Sequence, residues 1–277
     1  MGNSENKPQI NRLQIVSNIS GGLAAGAILT TCYNHRPMDD ARFSQGVQFL
    51  ADAGLNLCAV LDCAALPAGV ATTMTAAGIP LADYSRLVLT GHGGGRFWEK
   101  LKEFGWHTAD PVDHYSLVVM QQFIDDYLKA PPVLLIYPAE YLLPLQQLGE
   151  LAGWSQPSPL GLGINPEYGL WFAYRTAFLT NCQLPVTQSP ASQSPCATCA
   201  DKPCINTCPA GAVQSPGRFD VYACATFRLA TDSVCADRCL ARMACPIGAE
   251  HRYTLEQSQY HYRYSLAEIR EYYVKWT

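Results

Sequence analysis

Eight cysteines fall between residues 196 and 245 of a 277-residue chain that holds twelve in all. They run Cys196, Cys199, Cys204 and Cys208, then Cys224, Cys235, Cys239 and Cys245. Cys208 and Cys245 are each followed directly by proline. Four thiolates can hold one cubane [4Fe-4S] cluster, so eight suffice for two, and the chemistry is then one-electron transfer. The same count would serve two tetrahedral zinc sites of four thiolates each. It would also serve a disulfide framework, which needs an oxidising compartment and belongs mainly to small secreted domains. A chain of this length buries a real core without such staples.

Order and prolines favour the clusters. In a two-cluster ferredoxin, three closely spaced cysteines are followed by a fourth with proline after it, and that fourth ligates the other cluster. A short loop wraps three thiolates around one face of a cubane. The chain must then leave, and proline stops the helix there. By this logic one cluster takes Cys196, Cys199, Cys204 and Cys245, and the other takes Cys208, Cys224, Cys235 and Cys239. The compact bacterial spacing is stretched: four residues separate Cys199 from Cys204, ten separate Cys224 from Cys235, and five separate Cys239 from Cys245. Ala197, Ala200, Ala210, Gly211 and Ala212 are small, as a close backbone wrap requires. Arg238 and Arg242 lie one helical turn apart. They either offset the negative charge of a thiolate-ligated cluster or form a solvated helix face.

The stretch from Cys196 to Cys245 resembles the tandem cluster module of epoxyqueuosine reductases, down to the isolated cysteine in Tyr222-Ala-Cys224. The preceding run from Ser158 to Arg175, with Asn165-Pro-Glu-Tyr168-Gly-Leu-Trp171, resembles the segment those enzymes place before their clusters. It is also similar to the aromatic-Gly-x-Trp-Phe-Ala run of the cobalamin-processing CblC proteins. A set of short ferredoxin-type proteins, mostly proteobacterial, shares these motifs and Pro-Cys-x-x-Cys-Ala-Asp-Lys-Pro-Cys, over roughly residues 50 to 265. The resemblance implies a flavin- or cobalamin-binding α/β half ahead of the clusters. It also marks departures. Those reductases place an aspartate acid well before Gly153-Trp154. Here no aspartate occurs from 131 to 195, and Glu140 is the substitute on offer. Their Gly-Lys-Asn after Gly-Trp is replaced by Ser155-Gln-Pro-Ser-Pro159.

Elements must position these residues. Residues 1 to 38 read as an N-terminal extension. The first six graze a myristoylation pattern but carry Asn6 where Ser or Thr is wanted. Leu13 to Thr31 is too broken by polar residues to cross a membrane. Export is the alternative for that stretch, since Lys7 and Arg12 precede it, although Thr31 is a poor residue before Cys32 at a lipoprotein cleavage site. From 39 to 182, helices and strands alternate, which implies an α/β (α+β) domain. Helical patterns run over Asp39–Ala53, 66–78, Phe97–Phe104, Pro111–Lys129 and Leu143–Ala152. Strand-like runs are Leu55–Leu61, Arg86–Thr90, Val133–Tyr137, Leu160–Ile164 and Leu170–Leu179. Cys58 and Cys63 read as buried thiols rather than ligands. The strand-to-helix turn Gly91-His92-Gly93-Gly94-Gly95 could offer N–H groups of Gly93, Gly94 and Gly95 to a cofactor anion. It could equally be a tight turn needing positive φ. Residues 183 to 250 then form the tandem 4Fe-4S ferredoxin-like domain, and 251 to 277 a C-terminal helix, Leu266 to Trp276, packing on the body.

Nineteen basic and twenty-three acidic residues give a net charge of −4, with 15% of residues charged. That advertises no basic surface, so nucleic acid is an unlikely partner, even with the aromatics of Tyr260 to Tyr264 as a stacking platform. A redox partner protein or a small electron acceptor is expected instead, in a reducing, cytoplasmic setting. Three functions are in play. The first is an electron-transfer protein with two [4Fe-4S] clusters serving a partner, or serving cobalamin or flavin in the α/β half. The second is a cobalamin-dependent reductase, and the third a non-redox structural or interaction module.

Overall fold

The computed structural model describes residues 40–106, 108–129, 133–189, 193–214 and 217–274. The expectations for 1–38 lie outside them. The described residues belong to one compact unit, 38–277.

Four strands form the main sheet: β1 (Leu57–Asp62), β2 (Arg86–Gly93), β3 (Leu134–Tyr137) and, after two minor strands, β6 (Phe172–Thr180). Their order is β1-β2-β6-β3 and every pairing is antiparallel. Alternating strands and helices ordinarily give parallel crossovers. Here the link through α2 (Ala68–Ala76) turns back at the same end of the sheet, so β1 and β2 pair as neighbours.

Both sheet faces are covered, which is why the strands read as near-continuous apolar runs. On one face Val60, Val88 and Phe178 pack with α1 (Asp40–Asp52), α3 (Arg96–Phe104) and α4 (Pro111–Phe123), through Leu50, Phe97, Leu101, Met120 and Phe123. On the other, Leu87, Leu89, Ala177 and Leu179 pack with α2 and α5 (Leu145–Leu151) through Val70, Met74 and Leu148. The aromatic stripe of α4 is therefore core, with Tyr115 and Phe123 buried.

The expected strand at Leu160–Ile164 shrinks to β5 (Gly163–Ile164), paired with β4 (Gln156–Pro157). Pro157 lacks the N–H that would carry the ladder further. The last helix, α10 (Leu255–Val274), begins well before Leu266. Thr254 explains the early start, because its Oγ1 accepts the Gln257 N–H at 3.1 Å. No helix among the described residues is long and apolar enough to cross a membrane.

Candidate metal centre

The cysteine-rich segment folds as short helices around loops: α6 (Pro195–Thr198), α7 (Pro203–Asn206), α8 (Val221–Leu229) and α9 (Leu240–Met243), with a small hairpin of β7 (Val213–Gln214) and β8 (Arg218–Phe219) between α7 and α8. Three of them, α6, α7 and α9, are four residues long; Cys196 and Cys204 lie in α6 and α7, and Cys199 and Cys239 sit at the ends of α6 and α9. Proline opens α6 and α7 at their first turn, where no backbone donor is lost.

The eight thiols separate into two sets. One recess is lined by Cys196, Cys199, Cys204 and Cys245. The other is lined by Cys208, Cys224, Cys235 and Cys239. Where a thiol's pKa is raised, the causes follow the same division. After burial, Cys245 and Cys196 raise Cys204, and Cys239 and Cys208 raise Cys224 against the lowering effect of Arg228. Burial with like-charged neighbours pushes Cys224 up to about 11 and raises Cys196, Cys204, Cys235 and Cys245. Backbone N–H groups meanwhile point at sulfur. Arg242 N–H donates to Cys239 Sγ at 3.3 Å, and backbone groups at Leu240, Ile205 and Ile247 serve Cys235, Cys204 and Cys245. Such donors stabilise thiolates. Among the described residues no three His, Cys, Asp or Glu side chains converge to hold a metal ion. The thiols instead surround each recess.

Of the two cations singled out in the sequence, Arg238 lines the second recess and pairs with Asp237 at 2.7 Å. Arg242 faces the sheet domain, stacking over Trp171 and Tyr253 at 4.6 and 5.2 Å and donating to the Leu170 carbonyl. Arg228 is the one that sequence reasoning missed. It is 8% exposed, lines the second recess, and donates to the Cys235 and Tyr262 carbonyls and to Ser265 Oγ. Its signal was its place one helical turn after Cys224.

The turn Asn165–Gly169 docks this module on the sheet. Asn165 Oδ1 accepts the N–H groups of Glu167 and Tyr168, while its Nδ2 donates to the Trp154 carbonyl. Tyr168 packs flat against Gly93, where a Cβ would sit 2.3 Å from the ring. The three glycines proposed for a cofactor are thereby accounted for in different ways. Gly93 N–H donates to Asn56 Oδ1 at 2.8 Å, and Gly94, at φ +74°, donates to the Trp171 carbonyl at 2.8 Å. Gly95 precedes α3, with open space around it. His92 is wholly buried. Arg175 Nε donates to its Nδ1 at 3.0 Å, so the ring is neutral and its Nε2–H faces Tyr253 Oη, also at 3.0 Å. Burial and then Arg175 hold His92 far below its ordinary pKa. Cys58 and Cys63 lie in the sheet domain away from both sets, their thiols pushed up by burial to about 12 and about 11. Glu140 sits exposed after β3.

A helix-covered antiparallel sheet with a module of two thiol-lined recesses docked on it defines the class of protein. Solved structures share the fold, although no family model and no curated protein matches the chain. Epoxyqueuosine reductase from Bacillus subtilis gives a TM-score of 0.51 at 12% identity, over 78% of this chain and 68% of that one. The enzyme from Streptococcus thermophilus gives 0.49 at 14%, over 74% and 66%. An epoxyqueuosine reductase with a tRNA stem loop gives 0.49 at 13%, over 78% and 68%. The chain thus has the fold of epoxyqueuosine reductases and spans about two thirds of their length.

One expectation is corrected. Nucleic acid was set aside as a partner on the strength of the net charge, yet one matching structure holds a tRNA stem loop. A charge of −4 averaged over the chain does not describe any local surface, so it excludes no such partner.

Proposed function

We propose that this chain is an iron–sulfur oxidoreductase whose Cys196, Cys199, Cys204 and Cys245 hold one [4Fe-4S] cluster and whose Cys208, Cys224, Cys235 and Cys239 hold a second. The observation that carries the reading is the partition of the eight thiols into two recesses of four. When bound there, such clusters supply one-electron transfer. The protein's own part is to supply thiolates, N–H···S bonds and nearby cations. The buried guanidinium of Arg228, whose acceptors are all neutral oxygens, makes best sense beside ligated thiolates, since an uncompensated buried charge is costly.

The shared fold favours a reductase over a free-standing electron carrier, with electrons passing from the module toward the sheet domain. On that reading the acceptor is cobalamin. The residues first suggested for a cofactor fit it poorly, because Gly93 and Gly94 donate within the protein and both nitrogens of His92 are taken. That observation keeps the electron-carrier reading as the second.

Anaerobic purification with iron, sulfide and zinc analysis tests the proposal. About eight irons with a broad band near 400 nm that dithionite bleaches supports it. About two zincs and no colour overturns it. Adding cob(II)alamin to the iron-loaded protein then separates the readings, since a spectral shift on binding favours the reductase and its absence favours the carrier.

A further inference from the structure

The two thiol sets match in sulfur ligands and share the N–H···S bonds between them, but they differ in the charge behind them. Arg228 lies on the protein side of the second recess, 8% exposed, with its guanidinium over the Tyr262 ring at 4.7 Å. It acts on both Cys224 and Cys235. Arg242 gives its backbone N–H to Cys239 Sγ but turns its guanidinium to the sheet domain, half-buried between Trp171 and Tyr253. Among the described residues neither forms an ion pair with a carboxylate. Arg238 also lines that recess, but its charge is paired with Asp237, which Gln259 bonds as well. Around the first set the cations are Lys202, half-buried, and Arg252, which is exposed and reaches the Cys245 carbonyl. Solvent screens those two far more than it screens Arg228.

We propose that Arg228 gives the second set (Cys208, Cys224, Cys235, Cys239) the higher reduction potential, so that one electron given to the chain leaves the first centre and rests at the second. The proposal rests on the cluster reading. Reduction adds one negative charge to a centre already made anionic by its thiolates. A fixed, buried positive charge therefore favours the reduced form, and net charge with solvent exposure sets such potentials. A unit charge at a separation of about 10 Å, with an effective dielectric constant of about 20, changes a one-electron equilibrium on the order of tenfold. Arg228 is thus a positioning and tuning residue that touches no substrate.

Anaerobic potentiometric titration followed by electron paramagnetic resonance tests this. Iron analysis comes first, because a chain without iron overturns the cluster reading itself and the proposal with it. Cys204→Ala leaves only the second set and Cys208→Ala only the first. The former should show the higher midpoint, by about tenfold in equilibrium constant, or about 59 mV for one electron. In the full chain, Arg228→Gln should lower one midpoint by about that amount and leave the other in place, while Arg228→Lys, which keeps the charge, should hold both. Equal midpoints in the two single-set proteins, or a shift of both centres or neither in Arg228→Gln, would overturn it. Should Arg228→Gln fail to take up its second complement of iron, the single-set comparison decides.

Discussion

At the scale of residues, the assignment turns on which thiols share a recess. Cys204 and Cys208 are only four positions apart, yet they face different recesses. Cys204→Ala should therefore cost about four of about eight irons and Cys208→Ala the other four, read as iron per chain and as loss of one of two paramagnetic signals. A Cys208→Ala protein that kept all its iron would refute the interleaved pairing. The division of the thiols between two recesses follows the order of the cysteines and the prolines after Cys208 and Cys245, while cluster ligation by each set is the proposal that the iron count tests. Arg228 is not legible in the sequence. Its burial depends on Tyr262 and Ser265 in α10 coming back to cover it, and no spacing within α8 announces a partner from that far along the chain.

At the scale of elements, long periodic stretches gave themselves away and short ones did not. The α1 and α3 patterns appear within a residue of expectation, because an apolar stripe at helical period leaves little choice, whereas the pattern expected over Pro111–Lys129 is α-helical only to Phe123 and finishes as a π turn, Ile124–Leu128. The early start of α10 is written in Thr254-Leu-Glu-Gln257, a capping pattern that announces a helix, although the run that follows, Tyr260 to Tyr264, is aromatic and basic rather than regularly apolar. The antiparallel order of the sheet was hidden, since period-two patterning says which face a side chain takes and nothing about strand direction. The Asn165–Gly169 turn is the element on which docking depends. Gly169 holds φ +58°, and a Cβ there would meet the Ile247 carbonyl of the cluster module. Gly169→Ala should combine backbone strain with that clash and destabilise the chain by about 2 kcal/mol or more, read as a lower urea midpoint. A variant as stable as the parent would show that the module does not depend on this close approach.

The whole molecule couples its two halves through a seam of buried, uncharged histidines and of the guanidiniums of Arg175 and Arg242, which bond neutral acceptors. Burial and then Arg175 hold His261 down to about 3, and they depress His92 in the same direction. Unfolded histidines take up protons near pH 6.5, so between that value and about 3 the unfolded chain binds more protons than the folded one. Stability is therefore full above pH 6.5 and falls as the pH drops. His261 alone accounts for about 2 kcal/mol lost by pH 5, and His261→Gln should flatten the dependence of the thermal midpoint on pH over that range. An unchanged slope would place the proton uptake elsewhere. The seam joins parts of unequal strength. The sheet domain has a complete apolar core on each face. The module's own core is slight, with Leu160, Ile164, Leu170, Val213 and Ala241 around the thiols of Cys204 and Cys245. If its stability comes mainly from metal ligation, as in other small metal-bound folds, removing iron with a chelator and a mild oxidant should expose amides from 195 to 251 to hydrogen exchange. Strands β1, β2 and β6 should keep their protection. Exchange that rose equally in the sheet would mean that the two halves unfold as one, and that the seam is stronger than either core.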